Sequence, residues 1–401
     1  MPGPLAGIRV LDLTTVLVGP YCTQLLAEMG AEVTKVEAPE GDMVRLIGPE
    51  RHRLMGGMFL TINRGKRSIA LDLKRPEAVA ALLRLARQAD VLVTNIRPAA
   101  MARLGLDPAT VRAANPRLVY AAILGFGQDG PYAPRPAYDD LMQGAALIAG
   151  LHARATGGEP RYAPVAMADR ITGLMAANAI NAALLHRERT GEGQLVEVPM
   201  FETMVSFVLG DHLTGKTFDP PLDGGGYQRH LSPDRKPYRT SDGHVCTMIY
   251  NDRQWRNFCR AVGWPDLVAT DPRFASHATR TRHIDEILAM LSELFLTRTT
   301  AEWMRLLEEA DCPVTPVHTL ETIFDDPHLV ATGFFGQEEH PTEGPVVRMA
   351  SPMRFHGSPA APPRPAPNLG EHGAEILREA GFAEAEIAAL RESGAVRGSA
   401  E

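Results

Sequence analysis

The chain has no excess of positive charge, few cysteines and no long apolar run. Its 41 Lys and Arg stand against 48 Asp and Glu, a formal net charge of -7 over 401 residues. Non-specific nucleic-acid binding needs a basic face, so this balance sets that class aside. The four cysteines, Cys22, Cys246, Cys259 and Cys312, form no Cys-x-x-Cys pair. They read as reduced, buried thiols of a reducing compartment, not as a disulfide frame or a zinc site. No stretch approaches the ~18 apolar residues that span a bilayer. The opening Met1-Pro-Gly-Pro-Leu-Ala-Gly7 lacks the charged and apolar regions of a signal peptide. A cytoplasmic protein is expected, with neither membrane nor nucleic acid as partner and no bound metal.

What is present is an ordinary globular composition, 45% apolar and 22% charged. The length exceeds one ordinary core, so two domains are expected. Ile8 to Leu13 is a short buried strand. Gly19-Pro20 opens a helix through Leu25 and Leu26 that Gly30 ends, and Glu32 to Glu37 is the next strand. A helix from Pro76 and strands at Val91 to Thr94 and Leu118 to Ile123 continue the rhythm. Alternating strands and helices predict an α/β, Rossmann-like large domain with a parallel sheet. After Met200 a helix runs into a segment with Pro220 and Pro221. A smaller α+β domain then begins, with a hairpin signal at Asp242-Gly243. The expected division is 1–200 for the first part of the large domain, 201–224 for a linker, 225–325 for the small domain, and 326–401 for the return to the large one. Ser358 to Pro367 reads as a stiff proline-rich connector.

A Rossmann-like sheet raises a nicotinamide hypothesis. Gly125-Phe-Gly-Gln-Asp-Gly130 matches G-x-G-x-x-G after a strand, but Pro131 follows at once and Pro134 and Pro136 come soon after. The fingerprint needs strand, glycines and helix together, and the first strand–helix unit carries only Gly19-Pro20. A tight loop is the better reading.

Asp169 is the most informative residue. It heads a mostly apolar helix with Ile171, Leu174, Met175, Ala182 and Leu185 at helical spacing. A turn at Gly191 and Gly193 follows, and then a strand. A carboxylate so placed is either a nucleophile or a helix cap.

An ordered set of motifs resembles the class III CoA-transferases, the CaiB/BaiF family. It begins with Gly7-Ile-Arg-Val-Leu-Asp12, Gly19-Pro20, Gly30-Ala-Glu-Val-Thr-Lys-Val-Glu37 and Gly41-Asp42. It continues with Asn63-Arg-Gly-Lys-Arg-Ser-Ile-Ala-Leu-Asp-Leu-Lys74, Asn95-Ile-Arg-Pro98, Gly125 to Pro131, Tyr138-Asp139, Asp169 and Arg187 to Gly193. Asp271-Pro-Arg-Phe274, Asp326-Pro-His-Leu329 and Asn368-Leu-Gly-Glu-His372 complete it.

The resemblance implies an enzyme that moves coenzyme A from an acyl-CoA to a small carboxylic acid, with no permanently bound cofactor. It implies an interlocked, ring-like homodimer whose large domain is built from both chain ends. Asp169 would be the nucleophile, ionised without a helper base if its pKa is the ordinary ~3.9. Gly225 and Gly226, within Gly224-Gly-Gly226, would belong to a loop that folds over the active site and excludes water. Leu17, Val18, Leu71, Asp72, Leu73, Lys74, Asn95, Arg97, Arg103 and Asp139 would line the CoA path. Tyr138 separates the branches: racemases and epimerases carry a histidine there to move an α-proton, and a phenol with a pKa near 10 is a poor base. The intact Asp169 and glycine loop likewise speak against a catalytically silent CoA-binding homologue. The formyl-CoA transferase branch has Gln and Arg where this chain has Leu17 and Ala38, which disfavours a formyl or oxalate substrate. Arg170, Arg229 and His230 are candidates to hold the second carboxylate of a dicarboxylic acid.

Overall fold

The computed structural model describes residues 3–398, in two compact units. The first takes in the chain up to Ala146, Ala163–Ser206 and the chain from His328 onward; the second takes in Leu147–Tyr162 and Phe207–Pro327. The helix expected after Met200 is present as Met200–His212, with Met204 and Val208 buried, and it occupies the first half of the stretch 201–224.

The first unit is built on β1 (Arg9–Leu13), β2 (Glu32–Glu37), β3 (Lys66–Leu71), β4 (Val91–Thr94), β5 (Val119–Leu124) and β6 (Leu195–Pro199). These run parallel in the order β3-β2-β1-β4-β5-β6. A short strand, Val396–Arg397, adds antiparallel to β3. All residues of β4 and β5 are buried, as expected of strands covered on both faces.

Alternate residues feed two cores. Leu11, Leu13 and Leu92 pack with the helix Pro76–Ala86 and with Ile376 and Leu377 of the helix Gly373–Glu379. Val10, Val91 and Val93 pack on the other face with the first helix, Val18–Glu28, and the long helix, Met167–Thr190. The strand order reverses between β1 and β4. That switch point opens a crevice beyond the carboxyl ends of the strands, where doubly wound sheets bind ligands.

Three adjacent strands also carry buried charge. Asp12 of β1 lies opposite Lys35 of β2 and pairs with Lys66 of β3 at 2.9 Å. Lys35 pairs with Asp42 at 2.9 Å and Arg45 with Glu37 at 2.7 Å, and none of these six side chains is more than 1% exposed. Burial alone raises the Asp12 carboxyl, but Lys66, Lys35 and the hydroxyls of Thr14 and Thr23 outweigh it and hold it at about 2.

The second unit holds a three-stranded antiparallel sheet, Tyr238–Arg239, His244–Thr247 and Val314–Pro316. Asp242-Gly243 forms the expected hairpin turn, with the Thr240 N–H donating to the Gly243 carbonyl at 3.0 Å. Trp255, Phe258, Phe274, Phe295 and Trp303 form an aromatic core under the helices Asp252–Ala261, Ile284–Phe295 and Thr300–Glu309. Residues 358–367 have no regular structure. They lie on the first unit, where Gly65 donates to the Arg364 carbonyl at 2.8 Å and Arg45 to that of Pro367 at 3.2 Å.

Candidate active site

Asp169 is the third residue of the long helix. The N-cap position belongs to Ala166, which makes no side-chain cap bond, and the Asp169 carboxylate has no hydrogen-bond partner among the described residues. The capping alternative therefore falls away. Asp139, at the head of the helix Asp139–Ala145, accepts from the Asp169 N–H at 2.9 Å. Its other oxygen accepts from the Gln143 amide at 2.6 Å. Gln143 in turn donates to the Val165 carbonyl at 3.2 Å and accepts from the Ala163 N–H at 2.8 Å. This lattice fixes the chain just ahead of the long helix.

The Asp169 carboxyl is not the freely ionised group expected. It is 9% exposed, and burial, then the neighbouring Asp139 carboxylate, push it up to about 7 against the pull of Arg170. A buried carboxyl near a second carboxylate loses hydration and feels repulsion when it ionises. Such a group is poised between acid and nucleophile at neutral pH.

Asp169 opens into a cleft of about 530 Å³ at the carboxyl ends of β1, β4 and β5. Leu17 and Val18 contribute from the head of the first helix, Asn95 and Arg97 from beyond β4, and Tyr138 and Asp139 from the segment beside Asp169. Tyr138 is 68% exposed, so its ring is presented to the cleft and not packed in a core. A second cleft of about 330 Å³ is walled by Leu71, Asp72, Leu73 and Lys74 after β3, and Thr15 lines both. Lys74 and Arg97 are exposed and have no ion-pair partner among the described residues. Asn95 is committed internally: its amide accepts from the Thr15 N–H at 3.0 Å and donates to the Thr15 carbonyl at 2.9 Å.

Two other expected residues of the first unit stand apart. Arg103 is exposed at the end of the helix Pro98–Arg103 and lines neither cleft. Arg170 stacks on the Tyr21 ring at 4.4 Å and lines a different cleft with Phe334 and Arg348. In the second unit, Gly225 and Gly226 have φ of 75° and 100°, and the Gly226 N–H donates to the His212 carbonyl at 2.8 Å. At these positive φ values any L side chain would be strained, so the turn favours glycine. His230 lies 3.7 Å from Asp211.

Sequence reasoning missed Gln143 and Gly173, and it met Asp42 only as part of the Gly41-Asp42 motif. A Cβ on Gly173 would meet the Val18 carbonyl at 2.7 Å, so this glycine lets the long helix lie against the first. Its signal was available, since a glycine inside a helical pattern marks close approach. Gln143 acts through the backbone of Ala163 and Val165, twenty or more residues away, and left no local pattern.

Comparison with known proteins adds to this geometry. A model of CoA-transferase family III matches residues 5–373. The succinate–glutarate CoA-transferase of Agrobacterium fabrum is 35% identical over 94% of this chain and 95% of its own length. The succinyl-CoA:mesaconate CoA-transferase of Haloarcula hispanica is 35% identical over 94% and 97%. The crystal structure of a CaiB/BaiF family protein from Brucella suis superposes with a TM-score of 0.78 at 32% identity, covering 95% of this chain and 100% of the other.

Proposed function

We propose, from the premise that this chain belongs to CoA-transferase family III, that it moves coenzyme A from an acyl-CoA to a carboxylic acid through a covalent intermediate on Asp169. The observation that carries the reading is a buried carboxyl, free of hydrogen bonds, at the mouth of a cleft on the switch point of the sheet.

The ionised Asp169 attacks the thioester carbonyl of the donor. The carbon–sulfur bond breaks, leaving a mixed anhydride and a CoA thiolate. The thiolate attacks the aspartyl carbonyl, releases the donor acid and forms an aspartyl-CoA thioester. The acceptor carboxylate then attacks this thioester, giving a new anhydride and the thiolate again. Attack of the thiolate on the acceptor's acyl carbon yields the product thioester and restores Asp169. A carboxylate leaves each anhydride readily, so no step needs a strong base.

Lys74 and Arg97 are the proposed partners of the CoA phosphates, and Leu71 to Leu73 the proposed wall for its nucleotide end. Arg103 remains a proposed outer phosphate contact. Leu17, Val18 and Tyr138 border the proposed thioester path, with Asn95 acting through Thr15. Gly225 and Gly226 are included as the glycine-rich loop of the family, needed in turnover. The relatives' names suggest succinyl-CoA as donor and a dicarboxylic acid as acceptor. The phenol at Tyr138 favours transfer over racemisation.

Intact-mass spectrometry after mixing with succinyl-CoA tests the reading. A hydroxylamine-sensitive adduct on wild type, mapped to Asp169 and lost in Asp169→Ala, is the expected result. CoA ester binding by both proteins with no adduct and no transfer across a panel of acids would sink it.

A further inference from the structure

One cleft-lining residue holds a backbone conformation that its side chain opposes. Val16 has φ of 67°, the left-handed region, where a β-branched residue is an outlier. Left alone, the turn would relax. The surrounding structure prevents this by binding the backbone of the two residues ahead of it and of Val16 itself. The Thr14 N–H donates to Asp12 at 3.0 Å, and the Thr14 carbonyl accepts from Lys35 Nζ at 2.9 Å. Asn95 holds both backbone groups of Thr15. The Val16 N–H itself donates to both oxygens of Asp42, at 3.0 and 3.2 Å.

Asp42 is the keystone of this clamp. It is 3% exposed, is paired with Lys35 at 2.9 Å and also accepts from the Val44 N–H at 3.1 Å. Beyond Val16 the chain enters the first helix at Leu17, an N-cap without a side-chain bond. Val16, Leu17 and Val18 then form one border of the cleft that holds Asp169.

We infer that Asp42 is a positioning residue for the transfer reaction: by holding Val16 in its strained turn it sets the border of the cleft against which the acyl thioester meets Asp169. The inference rests on the reading of Asp169 as nucleophile. Asp42 borders the second cleft, but its carboxylate is fully buried against Lys35, so its effect on the Asp169 cleft passes through the Val16 N–H. A border displaced by an ångström costs on the order of 10²-fold in rate when the reacting atoms must be aligned. Glycine adopts positive φ without strain, so it can keep the turn with a weaker clamp.

The test measures first-adduct formation with succinyl-CoA by mass spectrometry, together with steady-state kcat and KM, in wild type, Asp42→Asn, Val16→Pro, Val16→Gly and the Asp42→Asn/Val16→Gly double variant. The expected result is a loss of roughly 10²-fold in kcat for Asp42→Asn with a smaller change in KM, and recovery of at least tenfold when Val16→Gly is added. Val16→Pro removes the N–H that Asp42 accepts from and excludes positive φ, at a half-buried position. It should lose as much as Asp42→Asn while leaving the Lys35–Asp42 pair in place, and it decides the matter if Asp42→Asn does not fold. A wild-type adduct with unchanged kcat in folded Asp42→Asn or Val16→Pro, or no recovery by glycine, overturns the inference alone. Absence of any adduct on wild type overturns the nucleophile reading and this inference with it.

Discussion

Asp169 gains its character from its burial and from one neighbour, Asp139. Burial removes water from its carboxyl and Asp139 repels its charge, which together place its pKa at about 7. In the proposed reaction only the anion attacks the thioester, so adduct formation is expected to rise with pH through that value. Between pH 6 and pH 8 the ionised fraction of such a group grows roughly tenfold. Stopped-flow quench of the first turnover at several pH values is expected to show this increase. Asp139→Asn keeps an oxygen for the Asp169 N–H but removes the repelling charge. It should move the midpoint downward and raise the rate at pH 6 relative to wild type. A midpoint that stays in place would assign the shift to burial alone. The residue type and its helix could be read from the chain, but its pKa could not. It depends on Asp139 and on burial, which the fold creates.

At the scale of elements, the close approach of two helices sets the site. The first helix carries Leu17 and Val18 to the cleft and the long helix carries Asp169. Gly173 is a point of close approach, with the Val18 carbonyl 2.7 Å and the Tyr21 ring 3.0 Å from where a Cβ would sit. Gly173→Val should cost ~1–3 kcal/mol in denaturant unfolding and depress adduct formation, because the helices must part. Gly150, also helical, has nothing within 4 Å of a Cβ, and Gly150→Ala should be neutral or stabilising by ~0.5–1 kcal/mol. Equal effects at the two glycines would contradict this packing account. The elements themselves were largely legible: β2 and the start of the helix at Pro76 fall where expected, because apolar runs and proline punctuate them. The buried pairs were not. Asp12, Lys35 and Lys66 look like solvent-facing strand residues until the sheet sets three strands side by side.

For the whole molecule, the motif order pointed to the family although no single motif carried chemistry alone. The division of the chain was harder to read, since Leu147–Tyr162 groups with the second unit without any change in composition to mark it. Assembly is a separate matter, and we propose the homodimer that the resemblance implies. Sedimentation equilibrium is expected to give twice the chain mass at micromolar concentration; a persistent monomer with full activity would remove the interlocked arrangement from the account.

The strand Val396–Arg397 closes the sheet on the open side of β3, pairing with Leu71 and Ala70. Ile376, Leu377, Ile387 and Leu390 seal the core beneath it. These residues leave the ribosome long after β3 does. A nascent chain that has already made Asp169 and both site helices still shows an unpaired strand edge and an uncovered apolar face, the kind of surface that attracts other strands. The order of synthesis therefore sets a vulnerable interval that lasts until this segment has emerged.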